Sequence, residues 1–191
     1  MAEIKDETLA ARAAKGDMQA FEELVNRHRT SVYRLARSIT GNHDDADDAA
    51  QETFIRVHRS LSSFDTGRSF RPWLRRIAYN TSLNVLRGVT NRKKRITGTE
   101  TDHVPDLSPD PEQAAQNRDS EYYIQTAVDS LTAELRATIV LRASEGMSYQ
   151  DIAKTTGVKI GTVMSRLSRA RERIQASMEA GGKLEQGGDV S

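Results

Sequence analysis

The chain has 191 residues, carries a net charge of +1 and contains no cysteine. The absence of cysteine excludes a disulfide framework, thiolate zinc sites and a cysteine nucleophile. No apolar run approaches the roughly 18 residues of a membrane span, and the charged N-terminus lacks the apolar stretch of a secretory signal. We therefore expect a soluble, cytoplasmic protein with a modest core and no direct membrane insertion.

Charges are segregated along the chain although they nearly cancel overall. Residues 41–65 carry six acidic and two basic side chains, and residues 66–95 carry nine basic and no acidic ones. Residues 96–135 carry nine acids and one base, and residues 136–174 carry eight bases and three acids. Two basic blocks separated by an acidic connector predict two sites for one polyanion, whereas the alternative is a pair of ordinary solvated helical faces.

The first two helices can be placed from their ends. A short helix is expected around residues 7–14, and Gly16 ends it. Asp17 is predicted to cap a second helix, which carries apolar residues at helical spacing and stops at Gly41.

Two further helices are predicted before residue 88. The third begins in the acidic run 44–48, because the helix dipole favours negative charge in the first turns. The fourth begins after the loop 64–70 and tolerates Pro72 in its first turn. It directs Trp73 and Ile77 toward the core.

Helical periodicity is lost between Gly88 and about Asp119, where three of the four prolines occur. A stretch of this length without periodicity is unusual inside a compact domain and indicates a linker. The helical pattern resumes near Ser120 with two helices broken near Leu131. Two more helices follow before a glycine-rich tail.

The predicted fold is all-α, with two small helical domains joined by a flexible acidic linker and a helix-turn-helix in the second domain. The expected N-terminal domain spans residues 1–95, and the linker spans 96–119. The C-terminal domain spans 120–178, and the tail 179–191 is expected to be disordered.

The last two helices have the layout of a helix-turn-helix. Ser148 is predicted to cap a short helix, the turn lies at Gly157, and Val163 and Leu167 of the next helix face inward. In this motif the second helix enters the major groove of DNA and its early residues contact base edges. Its outward side carries arginine and hydroxyl groups, which suit guanine and phosphate. The alternative is a helical hairpin with a solvated basic face.

Aromatic residues alternate with arginine in the first basic block, as is typical of a surface for single-stranded nucleic acid. We interpret Trp73 as a core residue. The polar loop after Phe64 contains a glycine and can surround an extruded base. The amide of Asn80 can pair with a base edge.

The acidic run 44–48 lacks the glycine and the terminal glutamate of a calcium loop. We therefore expect no metal and no cofactor, and we interpret the run as a protein-docking face or as helix capping. No phosphate loop or hydrolase motif is present, and His28 has no evident acid–base partner. The sequence does not support an enzyme.

Taken together, these segments resemble an extracytoplasmic-function (ECF) sigma factor of bacterial RNA polymerase. The resemblance covers most of residues 11–174 in the family's order. It implies an alternative sigma factor that binds core RNA polymerase, reads −35 duplex DNA and captures the melted −10 non-template strand. It also implies an anti-sigma factor as a partner. The segments that carry it are AAKGDMQAFEELVNRH, DDADDAAQETFIRVHRSLSSF, FRPWLRRIAYNTSLNVLR and SLTAELRATIVLRASEGMSYQDIAKTTGVKIGTVMSRLSRARERI.

The resemblance also implies roles for three sets of residues. The DxxQExF pattern of the family would bind the coiled coil of the largest polymerase subunit, and here it falls on Asp48, Gln51, Glu52 and Phe54. The implied −10 residues are Phe64, Asp65, Arg68, Ser69, Arg76 and Asn80. The implied −35 residues are Thr162, Ser165, Arg166, Ser168, Arg169 and Arg171.

Two positions depart from the family pattern, and two other functions stay open. Asn84 stands where Asp is usual and Met164 where Arg is common, so the promoter sequence does not follow from the resemblance. A stand-alone helix-turn-helix regulator would bind duplex DNA tightly without polymerase. A metal-dependent nuclease would lose cleavage in Asp45→Ala or Asp48→Ala.

Overall fold

A computed structural model describes residues 4–97, 126–128 and 130–185, and within these ranges the chain forms helices and no strand. The predicted all-α class is confirmed. None of these helices is long and apolar enough to span a membrane. The helices are α1 (Asp6–Ala13), α2 (Met18–Thr40), α3 (His43–Ser60), a short 3-10 turn (Leu61–Ser63), α4 (Phe70–Thr97), α5 (Ala133–Ala143), α6 (Tyr149–Thr156) and α7 (Ile160–Glu185).

Local capping sets the ends of the N-terminal helices. The Asp17 side chain accepts a hydrogen bond from the Ala20 N–H at 3.0 Å, and Asn42 accepts one from the Asp45 N–H at 2.8 Å. Gly41 follows α2 with a φ of 84°, a left-handed conformation that costs glycine little. The predicted cap at Asp17 and the stop at Gly41 are confirmed.

Two helices extend further than the sequence pattern predicts. α4 continues through Gly88 to Thr97, and α7 continues to Glu185, into the predicted tail 179–191. One glycine weakens a helix by only about 1 kcal/mol relative to alanine, and residues 92–95 of the sequence are arginine and lysine, which have high helix propensity. Residues 98–119 of the expected linker and the last residues, 186–191, lie outside the described ranges.

The core of the N-terminal unit lies between α2, α3 and α4, and α1 packs across α2 and α4. Leu24, Leu35 and Ile39 of α2 are at most 2% exposed, as are Phe70 and Leu74 of α4. Burying a side chain of this kind contributes about 1.5–3 kcal/mol. This core gives the exposed faces of α3 and α4 a rigid support.

The C-terminal unit is a smaller bundle of α5, α6 and α7. Ile152 of α6 and Val163 and Leu167 of α7 are almost completely buried, as the sequence pattern predicts. Thr132 immediately precedes α5, so the predicted break near Leu131 is also confirmed.

The two units pack against each other through α2 with α5 and α4 with α6. The apolar cluster that contains Leu74 and Tyr79 also contains Ala137, Met147 and Ile152 of the C-terminal unit. In this conformation the helix-turn-helix is therefore held against the flank of the N-terminal unit.

Candidate nucleic-acid and protein interfaces

One face of α3 presents carboxylate, amide and apolar groups to solvent. Asp48 and Gln51 are exposed, Glu52 is half-buried and Ile55 is 44% exposed. Their spacing places the four side chains on one side of the helix. Glu52 also pairs with Arg56 at 2.7 Å, an exposed contact that contributes little to stability. We call Asp48, Gln51, Glu52 and Ile55 the docking face.

Phe54 belongs to the same sequence pattern but supports the docking face from below. Its ring is partly buried and packs against the apolar core. Ala46, Ala49 and Val57 of α3 are fully buried, and Thr53 donates a hydrogen bond to the Ala49 carbonyl at 2.6 Å. These contacts fix the rotation of α3 about its axis.

The acidic start of α3 is a helix terminus. Asn42 caps it, and Asp47 lies 3.5 Å from His43 one turn earlier. Among the residues that the structure describes, no three His, Asp or Glu side chains are arranged to hold a metal ion. Negative charge in this first turn is explained by the helix dipole.

The loop 65–69 is exposed and organised by its own aspartate. Oδ1 of Asp65 accepts a hydrogen bond from the Gly67 N–H at 3.0 Å, and Oδ2 accepts one from Nε of Arg68 at 3.2 Å. A Cβ atom at Gly67 would lie 3.2 Å from Oδ1 of Asp65, so glycine leaves room for this turn. The arrangement presents Arg68 and Ser69 to solvent immediately before α4.

Phe64 lies beneath this loop. It is 9% exposed, and its ring centroid lies 4.9 Å from that of Trp73 and 5.6 Å from that of Phe70. Tilted and edge-to-face contacts at these distances are favourable. Trp73 therefore packs on the core, as predicted, and most of the Phe64 ring is engaged within the protein.

A carboxylate from α1 holds the start of α4. Oε1 of Glu7 accepts a hydrogen bond from the Phe70 N–H at 3.0 Å, across 63 residues of sequence. The first N–H groups of a helix lack partners within the helix, and negative charge is favourable there. This hydrogen bond lowers the pKa of Glu7. α1 therefore fixes the base of the 65–69 loop.

Asp6 forms a second link from α1. Its Oδ2 lies 2.9 Å from Nε2 of His28, and its Oδ1 lies 3.2 Å from Nη1 of Arg27. His28 is buried, and that burial lowers its pKa. The expectation that His28 lacks an acidic partner is wrong, because the partner comes from another helix, 22 residues earlier.

Further along α4, Arg76 and Asn80 are exposed one helical turn apart. Residues at this spacing share one face. Together with Arg68 of the loop they offer two cationic groups and one amide, which suit the phosphates and base edges of an unpaired strand.

The helix-turn-helix forms as predicted. The Ser148 hydroxyl accepts a hydrogen bond from the Asp151 N–H at 3.1 Å, and Gly157 ends α6 with a φ of 72°. Arg142 donates to the Met147 carbonyl at 2.8 Å and closes the turn before α6. These local bonds set the angle at which α7 leaves the bundle.

The early turns of α7 expose both polar and apolar groups. The Ser168 hydroxyl donates to Oε1 of Glu172 at 2.8 Å, so it is engaged within the helix. Ile160 and Met164 are 44% and 54% exposed, and apolar side chains here can contact thymine methyl groups. The exposed residues among the predicted −35 set are Thr162, Ser165, Ser168, Arg169 and Arg171.

Arg166 differs from the rest of that set because it contacts the N-terminal unit. It is half-buried and lies close to the Tyr79 hydroxyl on α4. Burial raises the pKa of Tyr79, which is 3% exposed. Arg75, one turn earlier on α4, forms an ion pair with Glu145. No local pattern indicates these contacts, because they join residues at least 70 positions apart.

The two units also match known sequence families. Residues 24–92 match sigma-70 region 2, and residues 122–174 match sigma-70 region 4. The chain belongs to the ECF sigma factors. We therefore call the N-terminal unit region 2 and the C-terminal unit region 4.

Similar proteins support this membership over most of the chain. The ECF RNA polymerase sigma factor SigE of Mycolicibacterium smegmatis is 42% identical over 85% of this chain, which spans 64% of that relative. The ECF RNA polymerase sigma-E factor of Haemophilus influenzae is 35% identical, with 93% of this chain and 97% of that protein covered. The sigma factor RpoE of Bartonella quintana, solved in complex with the anti-sigma factor NepR, has a TM-score of 0.68 and 28% identity. The match covers 83% of this chain and 96% of that one.

This ECF sigma factor is an alternative sigma factor, that is, a DNA-binding protein of transcription initiation. The family match assigns the function of the whole molecule. The structure adds the placement of individual side chains on the two regions.

Proposed function

We propose that three faces of this sigma factor divide the work of promoter recognition. The docking face binds core RNA polymerase, the 65–69 loop with Arg76 and Asn80 captures the −10 non-template strand, and the early turns of α7 read the −35 duplex. The observation that carries this proposal is the separation of charge. The first turns of α3 carry carboxylates and no arginine, with Arg56 and Arg59 confined to its last turns, whereas α4 and α7 expose arginine.

The docking face suits a protein partner better than a nucleic acid. Asp48 and Glu52 repel phosphates and can pair with basic groups of polymerase, so they select the partner. Ile55 provides an apolar centre, and such a centre ringed by polar groups is common in protein interfaces. Phe54 contributes by holding α3 in place.

The −10 surface favours strand opening because it binds bases that are accessible only after the two strands separate. Arg68 and Arg76 can neutralise phosphates, and Asn80 can pair with the edge of a base that has left the duplex. Asp65 shapes the loop and Ser69 offers a hydroxyl. Since the Phe64 ring is largely engaged, hydrogen bonds from the loop contribute more to base recognition than stacking does.

The −35 surface reads paired DNA in the major groove. Arg169 and Arg171 are free to contact guanine or phosphate, and the hydroxyls of Thr162 and Ser165 suit either. Arg166, half-buried beside Tyr79, is less accessible than these residues, and the Ser168 hydroxyl, which donates to Glu172, can still accept a hydrogen bond.

We also propose that an anti-sigma factor restrains this protein in the cytoplasm, where polymerase and promoters are found. The relative from Bartonella quintana was solved with such an inhibitor, and the docking face is open to a protein that would cover it. In this proposal the region 2 domain spans residues 1–95, the linker 96–119 and the region 4 domain starts at 120.

The deciding experiment is co-elution of the purified protein with core RNA polymerase. Wild type should bind stoichiometrically. Asp48→Lys/Glu52→Lys should weaken binding more than about thirtyfold, because losing a buried interfacial charge pair costs about 2–5 kcal/mol. Glu22→Lys/Glu179→Lys is the matched control, since it makes the same charge change at two exposed sites elsewhere.

Failure of a folded wild-type sample to bind polymerase would contradict the docking role. Tight binding of operator duplexes without polymerase would then favour a stand-alone regulator. Equal losses in both double variants would show a general charge effect and would also contradict a specific docking face.

A further inference from the structure

The start of α4 is capped differently from the starts of α2, α3 and α6. Each of those three helices is capped by the side chain of the residue just before it, which accepts a hydrogen bond from the N–H three positions later. The residue just before α4 is Ser69, and three positions later lies Pro72. Proline has no N–H, so a local cap of that kind cannot form at α4.

Glu7 of α1 supplies a cap in its place. Its Oε1 accepts a hydrogen bond at 3.0 Å from the N–H of Phe70, the first residue of α4. The first N–H groups of a helix have no partner inside the helix, and the helix dipole favours a negative charge beside them. Since Phe70 follows Ser69 directly, this hydrogen bond also fixes the end of the 65–69 loop.

The neighbour of Glu7 in the sequence holds α1 in position. Oδ2 of Asp6 lies 2.9 Å from Nε2 of His28, and Oδ1 lies 3.2 Å from Nη1 of Arg27, both on α2. Only 11% of the Asp6 side chain is exposed, and Leu9, one turn later, is buried. The Glu7 carboxylate is therefore presented to α4 by a helix that is fixed by ion pairs and by packing.

This arrangement leaves the hydroxyl of Ser69 available for a ligand. Ser69 is exposed, and within the part of the chain that the structure describes its side chain makes no hydrogen bond. The Ser148 hydroxyl, at the equivalent position before α6, is engaged with Asp151. A serine hydroxyl can donate one hydrogen bond and accept two. At the end of the loop, the free hydroxyl of Ser69 can therefore bind a base or a phosphate of an unpaired strand.

We propose that Glu7 is a positioning residue for capture of the −10 strand. It caps α4 from outside the 65–69 loop, so the loop keeps a fixed end while the hydroxyl of Ser69 stays free for DNA. Glu7 acts through the N–H of Phe70 and does not itself contact DNA. The inference rests on the −10 role proposed above for the loop, and it adds to that role a residue of the first helix.

Binding of the full-length protein to a pool of short, random, fluorescent single strands tests this role. Glu7→Ala should bind about fivefold more weakly than wild type, because loss of a helix cap shifts a local folding equilibrium by about that factor. Glu7→Gln keeps an oxygen that can accept the hydrogen bond of Phe70 and should recover most of the affinity. Glu22→Ala removes an exposed carboxylate from α2 and should match wild type. Circular dichroism at the temperature of the assay checks that each variant is folded.

Pro72→Ala separates the positioning role from a loss of stability. Alanine supplies the N–H that Ser69 can then cap, which engages the hydroxyl within the protein. Strand binding of Pro72→Ala should therefore fall to the level of Ser69→Ala. Glu7→Ala should lower the melting temperature less in the Pro72→Ala background than in wild type, because the helix start then has a second cap.

The outcomes separate this inference from the proposed function. Equal strand binding of Glu7→Ala and wild type would overturn the positioning role, as would a folded Glu7→Gln that binds as weakly as Glu7→Ala. Undiminished strand binding of Pro72→Ala would contradict the need to keep the hydroxyl of Ser69 free. A wild-type protein without affinity for single strands would contradict the −10 role of the loop and this inference with it. Polymerase co-elution of Glu7→Ala should match wild type, because the docking face lies on α3, so the two failures are distinguishable.

Discussion

The docking face of α3 and the recognition helix α7 differ in how free they are. The docking face is open, and its Glu52 carboxylate pairs with Arg56 of the same helix. The recognition helix has one arginine, Arg166, half-buried beside Tyr79 of region 2. In this conformation the side chains proposed to bind polymerase are accessible, whereas Arg166 of the proposed −35 set is partly covered.

With the proposed roles, this difference favours polymerase binding before duplex binding. A sigma factor that exposed both basic faces fully would bind DNA nonspecifically through its arginines. Polymerase binding through an acidic face does not bring such nonspecific DNA binding with it. Substitutions confined to one region at a time test whether the two helices differ in this way.

The largest expected effect is a loss of folding stability when the core that supports the docking face is truncated. Phe70→Ala removes a ring that is 1% exposed and should lower the free energy of unfolding by about 3–5 kcal/mol, as measured by urea denaturation. Met178→Ala, at an exposed site on α7, should change it by less than about 0.5 kcal/mol. A small loss in Phe70→Ala would show that the aromatic cluster is not structural.

A change at the centre of the docking face should separate binding from folding. Ile55→Arg should weaken polymerase binding by about tenfold, since a central apolar contact is worth more than about 1 kcal/mol. Its melting temperature should stay near that of wild type. Met178→Arg is the matched control on region 4, and an equal effect of both would place Ile55 outside the interface.

A change on α7 should alter which bases are read. Met164→Arg should shift the preferred −35 base from thymine toward guanine, with about 1–3 kcal/mol of discrimination. Selection from a randomised −35 library in run-off transcription measures this shift. An unchanged base preference would show that Met164 does not face the groove.

A smaller effect is expected from the cap of the helix-turn-helix. Ser148→Ala removes the hydrogen bond to the Asp151 N–H and should destabilise the protein by about 1 kcal/mol. Thermal unfolding measures the loss, and Ser148→Thr should recover most of it because the threonine hydroxyl also caps helices and can still donate to the Asp151 carboxylate. Equal losses in both variants would contradict a capping role.

The smallest effect concerns pH and the link from α1. The pKa of Glu7 is lowered by its hydrogen bond from Phe70, so its contribution is present above the ordinary value of about 4.3. The contribution is lost as the pH falls through the lowered value. Glu7→Gln should therefore reduce stability at pH 7 and flatten the acid decline below about pH 5, whereas Glu22→Gln should do neither. A steep decline retained in Glu7→Gln would assign it to other carboxylates.

Features that depend on neighbouring residues could be predicted from sequence. The caps at Asp17 and Ser148 and the turns at Gly41 and Gly157 follow from local backbone chemistry, and the structure has them where expected. The exposed positions of α7 follow from helical periodicity. The length of α4 could not be predicted in this way. Gly88 is expected to end the helix, although one glycine is tolerated within a long helix.

Features that depend on distant residues could not be predicted in this way. Glu7 reaches Phe70 across 63 residues, and Arg75 reaches Glu145 across 70. Neither pair can be recognised from the spacing of residues in the sequence, because each partner has an ordinary role in its own helix. The burial of Phe64 involves near residues, since its partners Phe70 and Trp73 follow within nine positions, but the sequence pattern does not show that the 65–69 loop brings the three rings together.

The 70 residues between Arg75 and Glu145 also separate the two partners in time. At about 5–20 residues per second on the ribosome, Glu145 is made roughly 4–14 s after Arg75. During that interval region 2 can already fold, whereas its contact with region 4 does not yet exist. A newly made chain therefore exposes the flank of α4 that Glu145 and Met147 cover in the finished protein.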